Sequence, residues 1–289
     1  MDSAPKLASH TLNADLHCHS IVSDGTLTPG ALALRAKAAG VALWSLTDHD
    51  ELGGQAEAAA AARSHDLAFI AGVEVSVTWQ DDTIHIVGLN IDYRPDSALQ
   101  KGLHSIREGR GPRARHMGEL LAQAGIPGAY EGALSHAGNP MLISRTHFAR
   151  FLVEAGRCKD VREVFTRYMV PGKPGYVPHR WATLEQAVAW IRASGGRAVL
   201  AHPGRYKLDN QQLHTLIEAF IAVGGEGIEV VTGSHTPAQY AQFARLAAHY
   251  ELLASRGSDF HGPSESRIDL GRLPLLPAEC TPVWHDWIL

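Results

Sequence analysis

The chain has 289 residues, 45% of them hydrophobic, enough to bury a large core in one domain or in a domain with an insertion. No apolar run approaches the roughly 18 residues of a membrane span, the start MDSAPKLASHTLNADLH holds no run of signal-peptide length, and three distant cysteines (Cys18, Cys158, Cys280) form no CxxC pair. These features argue against a membrane protein, a disulfide framework and a thiolate zinc site, and lead us to expect a cytoplasmic protein with no membrane partner.

Apolar, β-branched runs alternate with helical patterns along the chain. The strand-like runs are Ala14–His19, Ala42–Thr47, Ala68–Ser76, Ile84–Asn90, Arg197–Ala201, Gly227–Val231 and Glu251–Ser255. Between the first two, TLTPGALALRAKAAG reads as a helix with Thr28 as cap, Pro29 in the first turn and Gly40 at its end. From about Asp96 to His179 the alternation breaks, and the stretch is helical in pattern and rich in Arg and Gly. TLEQAVAWIRASGG then resumes the plan, with Thr183 as cap, Glu185 and Gln186 in the first turn and Gly195 at the end. Such alternation implies a parallel sheet, either open and doubly wound or closed into a barrel. The net charge of −4 is unevenly spread: residues 97–180 carry 13 Lys/Arg against 6 Asp/Glu, and the remainder 13 against 24. An acidic body with a basic middle segment suits bound cations in one part and an anionic substrate held by the other.

In ADLHCHSIVSDG, side chains alternate along the strand, so Asp15, His17 and His19 share one face, the two histidines about 6–7 Å apart. Cys18 points to the other side and reads as packing. Asp24 follows in the SDG loop, near enough to fold back. The same chemistry recurs along the chain: Asp48 and His49 in LWSLTDHDE, Glu74 in AGVEVS, His85 in TIHIVGLN, His202 in VLAHPGRY, and Asp259 and His261 in SRGSDFHG. In parallel α/β folds the C-terminal strand ends share one face, and that face carries the active site. Mixed His/Asp/Glu donors without thiolate favour Mn, Zn or Fe over copper, and so many donors suit two or three ions better than one tetrahedral ion. Closely spaced ions acting as a clamp are the usual device for hydrolysing phosphate esters.

The motifs DLHCH, TDHD, GVE, HIVGL, AHPGRY and SDFHG, in this order, resemble the PHP (polymerase and histidinol phosphatase) family, and are most similar to its TrpH/YciV-like branch. SRTHFARFLVEAG, FTRYMVPGKPGYVP and GGRAVLAHPGRY extend the resemblance over essentially the whole chain; Thr146 departs from the proline of the branch's RPH motif. The resemblance implies a distorted (β/α)7 barrel of the PHP type with an inserted, mostly helical subdomain. Residues 1–96 and 180–289 would form the barrel and 97–179 a basic substrate cap. It also implies two or three divalent metal ions, most often manganese, held by His17, His19, Asp24, His49, Glu74, His85, His202, Asp259 and His261. Asp15 and Asp48 are expected to orient histidines, and Glu229 to hydrogen-bond neighbouring strands. The implied activity is a phosphoesterase, nearest to nucleoside 3′,5′-bisphosphate phosphatases, in which a metal-activated hydroxide attacks phosphorus and Asp24 or His147 assists the leaving group.

For the substrate, Ser144 reads as a helix cap that places Arg145 and His147 in or beside a first turn, where free N–H groups favour an anion and a forked guanidinium adds bidentate contacts. Lys173 and Tyr176 lie in the tight PGKPGYVP loop, suited to a phosphate and a base. Arg110, Arg113 and Arg115 read equally as anion contacts or as a solvated face, and His179 and Arg180 carry no assignment. Two charged regions suit a small nucleotide with two phosphates, such as adenosine 3′,5′-bisphosphate; no protein partner is inferred. The alternatives are a 5′-to-3′ exonuclease on short RNA oligonucleotides and a histidinol-phosphate phosphatase, which has no need of the basic insertion. An amidohydrolase typically needs a bridging lysine that no strand end offers. From another class comes a metal-stabilised nucleic-acid-binding module without catalysis.

Overall fold

The computed structural model describes residues 10–287. Seven strands form one sheet in chain order: β1 (Ala14–Asp15), β2 (Leu43–Leu46), β3 (Ala68–Trp79), β4 (Asp82–Leu89), β5 (Arg197–Leu200), β6 (Gly227–Thr232) and β7 (Leu253–Gly257). The sheet curls until its ends meet. Leu16 N donates to Arg256 O (3.0 Å), Asp259 N to His17 O (2.8 Å) and His19 N to Phe260 O (2.9 Å). The result is the expected distorted barrel. Beyond Asp15 the first strand loses its regular ladder, because residues up to His19 divide their bonds between β7 with the loop that follows it and the chain just after β2; Thr47 N donates to Cys18 O at 3.0 Å.

The expectation of an all-parallel sheet is corrected at β4, which runs antiparallel to both neighbours while the other pairs are parallel. Trp79 pairs with Asp82 across a two-residue connection in which Gln80 is left-handed (φ 53°). A hairpin that short leaves no room for a crossover helix.

The helices that follow β1, β2, β5 and β6 are α1 (Pro29–Ala38), α2 (Gln55–Ser64), α9 (Asn210–Ala222) and α10 (Pro237–His249). Between β4 and β5 come α3 (Ala98–Glu108), α4 (Arg110–Gln123), α5 (Ala129–Ser135), α6 (Arg145–Glu154), α7 (Val161–Val164) and α8 (Leu184–Ala193). The caps read from sequence are present: Thr28 accepts from Ala31 N, and Thr183 forms a capping box with Gln186. Gly40 and Gly195 take the left-handed conformation that ends each helix (φ 79° and 76°).

One apolar cluster joins the strands to the helices packed on them, including Leu99 and Leu103 of α3 and Val188 and Ile191 of α8. A second cluster, from Ala114 to Val177, holds Met117, Leu121, Phe148 and Leu152. Each such large side chain stabilises by roughly 1.5–3 kcal/mol when buried, so the barrel core does not depend on the polar residues at its mouth. At the seam, the buried Arg256 donates to Pro274 O (2.7 Å), Asn13 Oδ1 (2.9 Å), Ala14 O and Leu273 O. Among the described residues, no helix is long and apolar enough to cross a membrane.

Candidate metal centre

Nine imidazole and carboxylate side chains converge at one mouth of the barrel, in four overlapping groups whose donor atoms lie within 4.8 Å of one another. The groups are His19, Asp24, His49 and His261; His17, His19 and Asp259; His17, Glu74 and His202; and His49, Glu74 and His85. They comprise all nine residues that the resemblance names as ligands. Glu74 is at their centre and fully buried: its Oε2 is 3.2 Å from His17 Nε2, 3.2 Å from His19 Nε2 and 3.0 Å from His49 Nδ1. Its Oε1 is 2.9 Å from His85 Nδ1 and 2.8 Å from His202 Nε2. His85 arrives by a route other than a parallel strand end. β4 starts where β3 finishes, and His85 pairs with Ser76, two residues beyond Glu74.

His17 Nε2, both ring nitrogens of His19, Asp24 Oδ1, His49 Nδ1, Glu74 Oε2 and Asp259 Oδ1 are buried and have no hydrogen-bond partner among the described residues. Leaving each such group unpaired costs about 1–3 kcal/mol. Divalent ions fit this donor set, because they take one nitrogen from each imidazole together with the carboxylate oxygens, and imidazole with carboxylate suits Mn, Zn or Fe. The electrostatics agree. At His17 burial opposes the charged form, yet Glu229, Glu74 and Asp259 hold its pKa well above the imidazole range. At His19 burial is again outweighed, by Asp259 and Glu74, and the pKa is pushed up to about 10. Burial holds His49 well below the ordinary value, with Glu74 and Asp24 opposing it. The carboxylates therefore draw positive charge, and metal binding displaces protons that otherwise supply it.

Around these donors, Asp15 and Asp48 hydrogen-bond groups other than the histidines they were expected to orient, while Glu229 bonds the neighbouring chain as expected and also holds a histidine. Glu229 Oε1 lies 2.8 Å from His17 Nδ1 and its Oε2 accepts from His202 N at 2.6 Å, so it is Glu229 that orients a site histidine. Asp15 instead accepts from Ser258 N (2.8 Å), Ser258 Oγ (3.1 Å) and Gly271 N (2.8 Å). It sits one pleat below His17, where loop N–H groups are the available donors. Asp48 points away from its neighbour His49 and accepts from Ser20 N (2.7 Å), Ser20 Oγ (2.7 Å) and Ser23 Oγ (2.6 Å), fixing the loop that carries Asp24. Cys18 packs away from the site, its sulfur accepting from Trp44 Nε1 at 3.2 Å.

Beside the ligands is a cavity of about 120 Å³ into which Arg110, Arg113, Arg145 and Arg205 project. Arg110 and Arg113 lie over the Trp181 ring (4.7 and 5.4 Å) and Arg145 over Phe165 (5.6 Å). Arg110 pairs with Asp50, and Arg205 with Asp259 at 2.7 Å. Among the described residues no carboxylate pairs with Arg113 or Arg145; their guanidinium groups donate to Val177 O and Met169 O. Burial, then Arg145 and Arg110, push Arg113 down to about 9, and burial also lowers Arg145. A wall of mutually repelling guanidinium groups is a site for an anion.

Ser144 and Arg145 reach this cavity as expected, Ser144 capping α6 and its Oγ donating to Asp24 Oδ2 at 3.4 Å. Three other residues expected at the substrate are not among those lining it, and Tyr176 is close to Arg145 without lining it. His147 is the third residue of the capping box: its Nδ1 accepts from Ser144 N at 3.0 Å, and burial lowers its pKa to about 4, leaving it neutral at pH 7. Asp24, its carboxyl pKa lowered by His49 and His261 against the effect of burial, falls in the donor group of His19, His49 and His261. Lys173 is exposed, turned outward by a tight turn in which its N–H donates to Val170 O and its carbonyl accepts from Tyr176 N, both at 3.0 Å. Arg115 is two residues past Arg113, about 200° round the helix; it lies over Tyr130 and lines a separate groove. The sequence reading left Arg110 and Arg113 open and missed Arg205, Trp181 and Phe165. The i, i+3 spacing of Arg110 and Arg113 on one helix face was the available signal.

A larger groove of about 480 Å³ adjoins the cavity, sharing Thr146, Phe165, Arg205 and His261 with it and flanked by Arg162 and Arg267.

The chain belongs to the PHP family: the family model for the PHP domain matches residues 15–232. It is 54% identical over 274 residues to a 3′,5′-nucleoside bisphosphate phosphatase of Chromobacterium violaceum, covering 95% of this chain and 96% of that one. It is 43% identical over 289 residues to the 5′-3′ exoribonuclease Rnm of Salmonella typhimurium, covering 99% and 98%. A solved structure of an amidohydrolase from Chromobacterium violaceum, with bound sulfate and no metal, matches with a TM-score of 0.91 and 54% identity over 95% of each chain.

Proposed function

We propose that this protein is a metal-dependent phosphatase that removes the 3′-phosphate from nucleoside 3′,5′-bisphosphates, converting adenosine 3′,5′-bisphosphate to AMP and phosphate. One observation carries the reading: a nine-donor cluster directly adjoins a cavity walled by guanidinium groups, two of which lack a carboxylate partner among the described residues. One region suits the phosphoryl group being transferred and the other suits a second phosphate at fixed distance, so binding of the remote group positions the reacting one. The relative at 54% identity supports the same substrate class.

His17, His19, Asp24, His49, Glu74, His85, His202, Asp259 and His261 would hold two or three divalent ions, which we assign as manganese. When bound, such ions supply the activation of water and the neutralisation of charge that displacement at phosphorus requires. The protein's own groups do the rest. Glu229 keeps the Nε2 of His17 turned toward the cluster. Arg110, Arg113 and Arg145 take the 5′-phosphate, and Arg205, shared by cavity and groove, borders the path between the two phosphates. Trp181 and Phe165 cover guanidinium faces and limit water there, which strengthens the charge-assisted bonds. The insertion at 97–179 acts as the substrate cap, and a cytoplasmic location fits three cysteines that are all free.

The adjoining groove, with Arg162 and Arg267 on its flank, favours one second reading: 5′-to-3′ cleavage of short RNA whose 5′-phosphate uses the same anchor. Among the described residues no lysine lines the cavity, which weighs against amidohydrolase chemistry of the lysine-bridged kind. Chelator-treated protein reloaded with manganese and offered the bisphosphate, a 5′-phosphorylated RNA dimer and histidinol phosphate tests the choice. The bisphosphate is expected to give the highest kcat/KM; a higher value for the RNA establishes the second reading instead.

A further inference from the structure

Asp50 belongs to none of the ligand groups, yet it is fully buried immediately after His49. Its backbone is left-handed (φ 52°), which aspartate tolerates better than most residues. Its N–H donates to Glu74 O at 2.9 Å. The carboxylate accepts from Ser76 N (2.7 Å) and Ser76 Oγ (2.8 Å) on β3, and from Arg110 Nη2 at the start of α4. Its carbonyl oxygen accepts from Arg107 Nη1 at 2.7 Å. One residue thus ties the strand of Glu74, the loop of His49 and the first arginines of the insertion together.

Arg110 is constrained on two sides, by Asp50 at one edge and by the Trp181 ring 4.7 Å from its Cζ. Its Nε is buried and has no hydrogen-bond partner among the described residues, while the side chain lines the anion cavity. A buried guanidinium with an unpaired N–H, beside Arg113 and Arg145, is matched by an anionic oxygen. The carboxylate that holds it is bonded to the same backbone that carries His49 and Glu74.

We infer that Asp50 is a positioning residue: it aims Arg110 at the remote phosphate, fixes the spacing between that anchor and the metal centre, and so contributes to the preference for two phosphates over one. This rests on the bisphosphate reading above.

The test uses the full-length, manganese-loaded protein and compares kcat/KM for adenosine 3′,5′-bisphosphate with that for adenosine 3′-monophosphate, which lacks the remote group. Asp50→Asn keeps the shape of the side chain and removes its charge. It is expected to lower the ratio about tenfold, through KM for the bisphosphate, as the loss of a charge-assisted bond predicts, with metal content by elemental analysis equal to wild type. The Asp50→Asn/Arg110→Gln double variant should be no worse than Arg110→Gln alone, since both changes remove one interaction. Ser76→Ala, which frees one edge of the carboxylate, should lower the ratio less and in the same direction, and decides the matter if Asp50→Asn does not fold. An unchanged ratio in the folded variants, or losses that add in the double variant, would overturn the inference. A wild-type ratio near one overturns the bisphosphate reading itself, and this inference with it.

Discussion

Glu229 Oε1 lies 2.8 Å from His17 Nδ1, and both side chains are buried. The carboxylate fixes the imidazole so that Nε2 faces Glu74 and Asp259, at 3.2 and 3.6 Å. Losing such an orienting partner typically costs 10–100-fold in metal affinity. Glu229→Gln should therefore weaken metal binding by about that factor, measured by titrating chelator-stripped protein. Unchanged affinity would mean that packing alone holds the ring.

Replacing His17 or Asp259 by Ala should remove metal and abolish hydrolysis, because each donor belongs to an overlapping group and its loss opens the clamp. The far-UV circular dichroism should stay that of the parent, since the barrel's apolar cluster contains neither residue. Full activity in a metal-depleted double variant would sink the mechanism.

Stripping the metal should also lower the melting temperature, because the buried donors at the barrel mouth then lack partners. At a free concentration of 100 Kd, binding to the native state alone adds about 2.7 kcal/mol. Calorimetry with and without added manganese reads this directly; coincident transitions contradict it.

Arg145→Ala should cost roughly 2–4 kcal/mol in kcat/KM on the bisphosphate, the loss of a charge-assisted bidentate contact in a partly desolvated cavity. A substrate lacking the remote phosphate should lose much less. Lys173→Ala is the control: the side chain is exposed and outside the cavity, so its effect should stay within about 0.5 kcal/mol. Equal losses on both substrates for Arg145→Ala would place it at the reacting phosphate.

Much of this architecture was legible in the chain because it is written in local patterns. Thr28, Thr183 and Ser144 cap the helices they precede, and strand-end histidines and carboxylates mark one face of a barrel. The antiparallel β4 was not legible, since a two-residue turn at Gln80 without glycine gives little hairpin signal. Nor were the partners of the ligands: whether Asp15, Asp48 or Glu229 reaches a histidine depends on which neighbouring strand supplies the nearer donor. Arg145 was expected beside the anion and does line the cavity, whereas Lys173, expected there too, faces outward, because loop composition does not say which way a side chain faces. Arg110 and Arg113 became distinguishable from Arg115 only through the orientation of α4 against Trp181.

The most direct measurement is chromatographic separation of the products from adenosine 3′,5′-bisphosphate incubated with the manganese-loaded protein. The account predicts AMP and phosphate, with adenosine monophosphates turned over far more slowly because neither can occupy both the metal centre and the arginine cavity. Release of adenosine 3′-monophosphate, or faster turnover of AMP than of the bisphosphate, would contradict it.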